Sequence, residues 1–122
     1  MMVIVSMLAV FVAVCIVAVF AWFPKVIVVG DSMFPTLKDG NRLRARRVLP
    51  FTKLSEGSIY VFHPPVENGE RDGKIVIKRL IYLEGKSCYF LGDNSEVSYD
   101  SRAYGMVDRK RVIGKIIKMG RD

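Results

Sequence analysis

A serine and a lysine are the two side chains in this 122-residue chain whose surroundings suit them to chemistry. Ser32 lies in Gly30-Asp31-Ser32-Met33-Phe34-Pro35-Thr36-Leu37, a turn led by Gly and Asp. The apolar run 26–29 leads straight into it, so a strand-to-turn junction would hold one hydroxyl at a fixed, exposed point. A serine hydroxyl is a poor nucleophile until a base takes its proton. The single histidine, His63, precedes Pro64-Pro65 and reads as a loop residue, not a base or ligand. Lys78 is the other candidate base. It stands among Ile75, Val76, Ile77, Leu80 and Ile81, and burial among such neighbours disfavours the ammonium form. By pattern alone Lys78 also reads as an edge-strand lysine turned to water, and Ser32 as ordinary turn chemistry. A third stretch, Gly92-Asp93-Asn94-Ser95-Glu96-Val97-Ser98-Tyr99-Asp100-Ser101-Arg102, is dense in polar groups.

These residues need elements to hold them. Residues 2–23 contain no charged residue and only Ser6 and Cys15 break the large apolar types and alanine. As a helix this run reaches about 33 Å, enough for a bilayer core. Trp22-Phe23-Pro24-Lys25 then supplies an interfacial aromatic pair, a helix stop and the first charge. A cleaved secretory signal is the competing reading, but a basic leading region is missing and the run is long for one. The rest reads as mostly β. Strands are expected at 26–29, 41–48, 58–62, 75–82, 87–91 and 111–119, with turns or loops at 38–40, 49–57, 67–74 and 93–104. In 41–48 the arginines Arg42, Arg44 and Arg46 alternate with Leu43 and Ala45, as on a half-buried strand. No amphipathic helix, repeat or low-complexity segment follows residue 25.

The Ser32 turn, Ile77-Lys78-Arg79 and the 92–102 stretch occur in one order, and together they resemble the type I signal peptidases of the bacterial Ser/Lys class. The similarity runs from about residue 26 to 115. Leu83-Glu84-Gly85 also resembles the mitochondrial inner-membrane peptidases. The resemblance implies that Ser32 attacks the scissile carbonyl, with its own backbone N–H in the oxyanion hole. It implies that Lys78 is general base and then acid, and that Ser98 orients the Lys78 amine. Arg79 with Asp93, and Asp100 with Arg102, would be structural ion pairs. Val28, Met33, Leu37 and Ile77 would line the pocket for the residue before the cut; by type they read equally as core. Substrates would be precursors bearing signal peptides, cut after small residues at −1 and −3 and bound as an added strand beside residues 75–78.

The sequence departs from the family pattern in three places. Gly30 stands where many members carry a serine that adds an oxyanion donor. Ile81-Tyr82-Leu83-Glu84-Gly85-Lys86 replaces the usual Gly-x-Pro-Gly-Asp, and Gly57-Ser58 replaces Gly-Asp. Five residues separate Lys86 from Gly92, too few for the second β domain of many members. The expected division is an anchor at 1–24 and one small antiparallel-β catalytic domain at 25–122.

Charge and cysteines narrow the partners. The net charge is +7, carried entirely after residue 23, which suits anionic lipid or nucleic acid. No aromatic interleaving or recognition motif accompanies the arginines, so lipid is expected and nucleic acid is not. Cys15 and Cys88 form no disulfide framework, and no metal or cofactor is implied. The expected location is the cytoplasmic (inner) membrane, single-pass, with the domain on the outer side. The positive-inside bias argues for the opposite orientation, but long domains translocate largely regardless of charge. Two other readings are a self-cleaving repressor-like Ser/Lys protease, for which the DNA-binding domain is missing, and a catalytically dispensable membrane chaperone or lipid-binding module.

Overall fold

A computed structural model describes residues 1–65 and 74–119 of the chain. The leading helix α1 spans Met2–Trp22 and buries none of its residues. It is long and apolar enough to cross a membrane. Pro24, which has no N–H to donate, follows its end. The last carbonyls of a helix have no partner within it. Here two guanidiniums reach them: Arg44 Nη1 donates to the Phe23 carbonyl at 3.0 Å, and Arg47 Nε to that of Ala21 at 2.6 Å. Positive charge at this end also complements the helix dipole. The backbone N–H of Ala45 donates to the Pro24 carbonyl, which ties the helix exit to the sheet.

The remaining elements are β1 (Lys25–Ile27), β2 (Arg42–Arg47), β3 (Ile59–Phe62), β4 (Val76–Glu84), β5 (Ser87–Leu91), a one-turn helix α2 (Ser101–Tyr104), β6 (Val107–Asp108) and β7 (Val112–Met119). The strands form one antiparallel sheet in the order β1-β2-β7-β3-β4-β5-β6. The sheet curls, so that β1 at one end and the start of β4 face each other across a cleft described below. In β2, Leu43 and Ala45 are buried while Arg42 and Arg46 face out, the alternation expected of period two. β3 is buried along its whole length and sits between β7 and β4.

Two apolar clusters hold the domain. One contains Leu54, Tyr60, Phe62, Leu80, Cys88, Phe90, Val107 and Val112, with Phe62 and Phe90 stacked at a centroid distance of 4.1 Å. The other contains Val28, Met33, Leu37, Leu43 and Ile59, with Val26, Ile77 and Ile116 packed against it. This second cluster lies under the Ser32 turn, so the turn is seated on core.

The single helix followed by a small antiparallel domain agrees with the expected fold. Strand 87–91 matches, and most other strands shift by a residue or two at an end. The expected strand at 26–29 ends at Ile27, because Gly30 (φ +89°) turns the chain. Inside the expected 93–104 loop, Asp100 caps α2 by accepting from the Arg102 N–H. β6 and a 3₁₀ turn at Arg109–Arg111 were not anticipated. The expected loop 67–74 falls, except for Lys74, outside the described residues.

Candidate active site

The Ser32 turn is built by local bonds and then gripped from outside. The Phe34 N–H donates to the Asp31 carbonyl, and the Leu37 N–H to that of Met33. The Gly30 N–H donates to Asp39 Oδ1 at 2.8 Å. Met33 and Leu37, at 1% and 0% exposure, sink into the second cluster and leave Ser32 half-buried above it. Four contacts then tie this turn to the polar 92–100 stretch, one of them from the Asp93 N–H to Met33 Sδ at 3.4 Å. Thr36 Oγ1 donates to Asp93 Oδ2 at 2.6 Å, the Asn94 N–H to the Ser32 carbonyl at 2.8 Å, and Asn94 Nδ2 to the Asp31 carbonyl at 3.0 Å.

Lys78 comes from the middle of the sheet, on β4. It is 5% exposed, and its Nζ lies 2.7 Å from Ser32 Oγ. Burial lowers its pKa; the Asp100 carboxylate works against that, and the like charge of Lys74 adds to it. The next residue, Arg79, pairs with Asp93 through two bonds of 2.9 and 2.7 Å, and also donates to the Gly57 carbonyl at 2.6 Å. Arg79 therefore links the lysine strand to the segment that grips the serine turn.

Asp100 is the hub behind this pair. It is 1% exposed and accepts from the Gly92 N–H at 2.9 Å, the Ser98 hydroxyl at 2.7 Å, and the Arg102 side chain and N–H. Burial opposes its ionisation, but the bonds from Arg102, Gly92 and Ser98 outweigh burial and hold the carboxyl below the usual range. Ser98, expected to hydrogen-bond the Lys78 amine, gives its proton to Asp100, which leaves its lone pairs for a donor such as an ammonium. Gly92 lies between Ser98 and the Ser32 turn: a Cβ there would meet Ser98 Oγ at 2.1 Å and the Ser32 carbonyl oxygen at 2.6 Å.

Beside Ser32 and Lys78 opens a cleft of about 440 Å³, walled by residues 26–29 on one side and 74–78 on the other. Val28, Met33 and Ile77 of the expected pocket residues line it; Leu37 lies beneath, in the core. Residues 76–78 of β4 pair with β3, and β5 pairing starts only at Arg79. Their other backbone edge opens on the cleft. His63 sits in its loop with Nδ1 3.0 Å from the Lys74 carbonyl. The roles of Asn94, Thr36 and Gly92 were missed from the sequence. Their membership of the 30–37 and 92–102 stretches was the only signal, because each acts through a distance in space.

The structure is thus a small curled antiparallel sheet led by an apolar helix, with Ser32 set against a buried lysine beside the polar 92–102 stretch. The chain belongs to the signal peptidase family, peptidase S26, whose model matches residues 1–88 and 84–119. The chain is 29% identical over 163 aligned positions to a signal peptidase IB of Staphylococcus aureus, covering 93% of this chain and 85% of that protein. It is 28% identical over 126 positions to a probable signal peptidase I-1 of Synechocystis, covering 70% of this chain and 64% of that one. The first alignment is longer than this chain, so the relative carries segments that this chain lacks. The two matched pieces join at the β4–β5 turn.

Proposed function

We propose that this chain is a membrane-anchored serine endopeptidase that removes signal peptides from translocated precursors through a Ser32/Lys78 dyad. The carrying observation is the 2.7 Å contact between Ser32 Oγ and a lysine amine only 5% exposed, whose burial favours the neutral form. In the mechanism this supports, neutral Lys78 takes the Ser32 proton as Oγ attacks the scissile carbonyl. The tetrahedral oxyanion receives the Ser32 backbone N–H. The Lys78 ammonium then protonates the leaving amine, which departs and leaves an acyl ester on Ser32. Lys78, neutral again, takes a proton from water, the hydroxide attacks the ester, and Ser32 is released with its proton returned. Ser98 orients the amine from the Asp100 side. Gly30 has no side chain to add a second oxyanion donor, so a second donor beside the Ser32 N–H would come from another residue.

The substrate would enter extended, with its backbone added to the open edge of residues 76–78 and its −1 side chain against Val28, Met33 and Ile77. A cleft of this size, floored by buried apolar groups, suits small residues at −1 and −3. Residues 1–24 would serve as anchor and 25–122 as catalytic domain. The domain would lie on the outer side of the cytoplasmic membrane, where signal peptides emerge. Exposed Arg42 and Arg46, close to the end of α1, would meet anionic headgroups. The rival reading, a membrane chaperone or lipid-binding module, gives no reason to bury a lysine against a serine.

The test is direct. Incubation of the detergent-solubilised chain with a secretory precursor should give one new N-terminus after a small residue. Ser32→Ala should abolish the cut while the protein still folds. A cut that persists at near wild-type rate in that variant sinks the dyad.

A further inference from the structure

We propose that Asn94 is a positioning residue for the nucleophile, one that fixes both peptide planes flanking Ser32 and thereby aims its N–H and its hydroxyl. The inference rests on Ser32 being the nucleophile. Its ground is a pair of bonds from a single residue: the Asn94 N–H to the Ser32 carbonyl at 2.8 Å, and Asn94 Nδ2 to the Asp31 carbonyl at 3.0 Å. The peptide unit is planar. The Asp31 carbonyl and the Ser32 N–H belong to one plane and point in opposite directions, so a grip on the carbonyl sets the direction of the oxyanion donor. The Ser32 carbonyl belongs to the next plane. With both planes held, rotation about the two soft bonds of Ser32 stops. Its Cβ direction, and with it the 2.7 Å approach of Oγ to Lys78, is then set.

The turn's own bond, from the Phe34 N–H to the Asp31 carbonyl at 3.1 Å, cannot do this alone, because it moves with the turn. Asn94 comes from another part of the chain. Its neighbour Asp93 is bound to Arg79, next in sequence to the base. One chain of contacts therefore runs from Lys78 through Arg79, Asp93 and Asn94 to Ser32, and registers base against nucleophile. The chemistry asks for an amide at 94. Aspartate has the same shape but turns a carboxylate oxygen on the Asp31 carbonyl, where a donor is needed. Alanine removes the side-chain bond and keeps the main-chain one.

The experiment uses the full chain in detergent, a signal-peptide-derived peptide substrate, and a peptide boronate whose tetrahedral Ser32 adduct places an oxygen in the oxyanion hole. Asn94→Ala should lower kcat about 10- to 100-fold with KM unchanged, since a misplaced group costs rate and not ground-state binding. Boronate affinity should fall by the same factor. The midpoint of the pH–rate profile should stay, and Asn94→Asp should lose more than Asn94→Ala. The proposal is overturned if Asn94→Ala keeps kcat and boronate affinity within twofold. It is also overturned if lost activity only follows the unfolded fraction in a thermal melt while the folded protein binds boronate normally. Failure of the wild type to cleave would instead refute the peptidase reading. The clamp is then judged by amide hydrogen exchange: faster exchange at Ser32 in Asn94→Ala supports it, and equal rates refute it.

Discussion

Replacing Gly92 by alanine should disable the site through a single methyl group. An ideal Cβ there lies 2.1 Å from Ser98 Oγ, 2.6 Å from Ser98 Cβ and 2.6 Å from the Ser32 carbonyl oxygen. Unstrained contacts need about 3.5 Å, so each of these atoms must retreat by roughly 1 Å. Rotation of Ser98 would break its 2.7 Å bond to Asp100 and still leave its Cβ in the way. Retreat of the Ser32 carbonyl would strain the 2.8 Å bond from the Asn94 N–H and swing the Ser32 hydroxyl off Lys78. Either way two groups near the reacting atoms move by about 1 Å, a displacement worth about 10²-fold in rate. The crowding itself should cost about 1–3 kcal/mol of stability. Gly114→Ala in β7 is the control, because its Cβ meets the Ala45 Cβ at 3.3 Å and the Arg46 carbonyl at 3.4 Å, with no site residue nearby. The assay is kcat/KM on a fluorogenic signal-peptide substrate, with a thermal melt of each variant. Gly92→Ala at a third or more of wild-type kcat/KM, with an unshifted melt, would refute the reasoning.

Two further outcomes follow from the charges. The Lys78 pKa is lowered from the 10.5 of a free lysine, burial being the main cause, so kcat/KM should rise with pH along one ionisation and level off below pH 10.5; Lys78→Arg should be inactive, because guanidinium keeps its proton, and a flat profile would assign the proton transfer to another group. The Asp100 carboxyl titrates below the 3.8 of a free aspartate, so its bonds add stability at neutral pH that is lost as pH falls below about 4; Asp100→Asn should flatten that acid dependence in a denaturation series and cost about 1–3 kcal/mol at pH 7, and an unchanged acid midpoint would contradict the hub.

How much of this could be seen in the residues alone depended on range. Period two exposed β2, since one face of it is arginine and the other is core. A long apolar run exposed β4, and an uncharged run exposed α1. Each signal is local, and each survives folding because one face or one solvent decides it. β6 has two residues and α2 four, too short for any period. The link from α1 to the sheet depends on where Arg44 and Arg47 end in space, and no alternation of charge encodes a helix terminus 20-odd residues away. Ser32 and Lys78 are 46 residues apart; periodicity could offer each as a candidate, but only the family resemblance paired them. Leu37 shows the opposite limit. Its type fits a pocket wall and a core equally, and only its complete burial separates the two.

The position of Asp100 carries a tension that the geometry answers. A carboxylate near Lys78 favours the ammonium, the form that cannot take a proton. Yet the same carboxylate fastens Gly92, Ser98 and Arg102, and so organises the segment near Lys78. Two features keep these roles apart. The negative charge is shared with the Arg102 guanidinium at 2.9 Å, which cancels much of its field at a distance. Ser98 spends its proton on Asp100, so all it could offer an ammonium is a neutral lone pair, a weaker partner than a carboxylate would be. Burial then decides the balance at Lys78, in the direction of the free amine. In the proposed mechanism, the Asp100–Arg102 pair therefore does more than stiffen a loop: it lets a carboxylate organise the site while burial still favours the neutral form of Lys78.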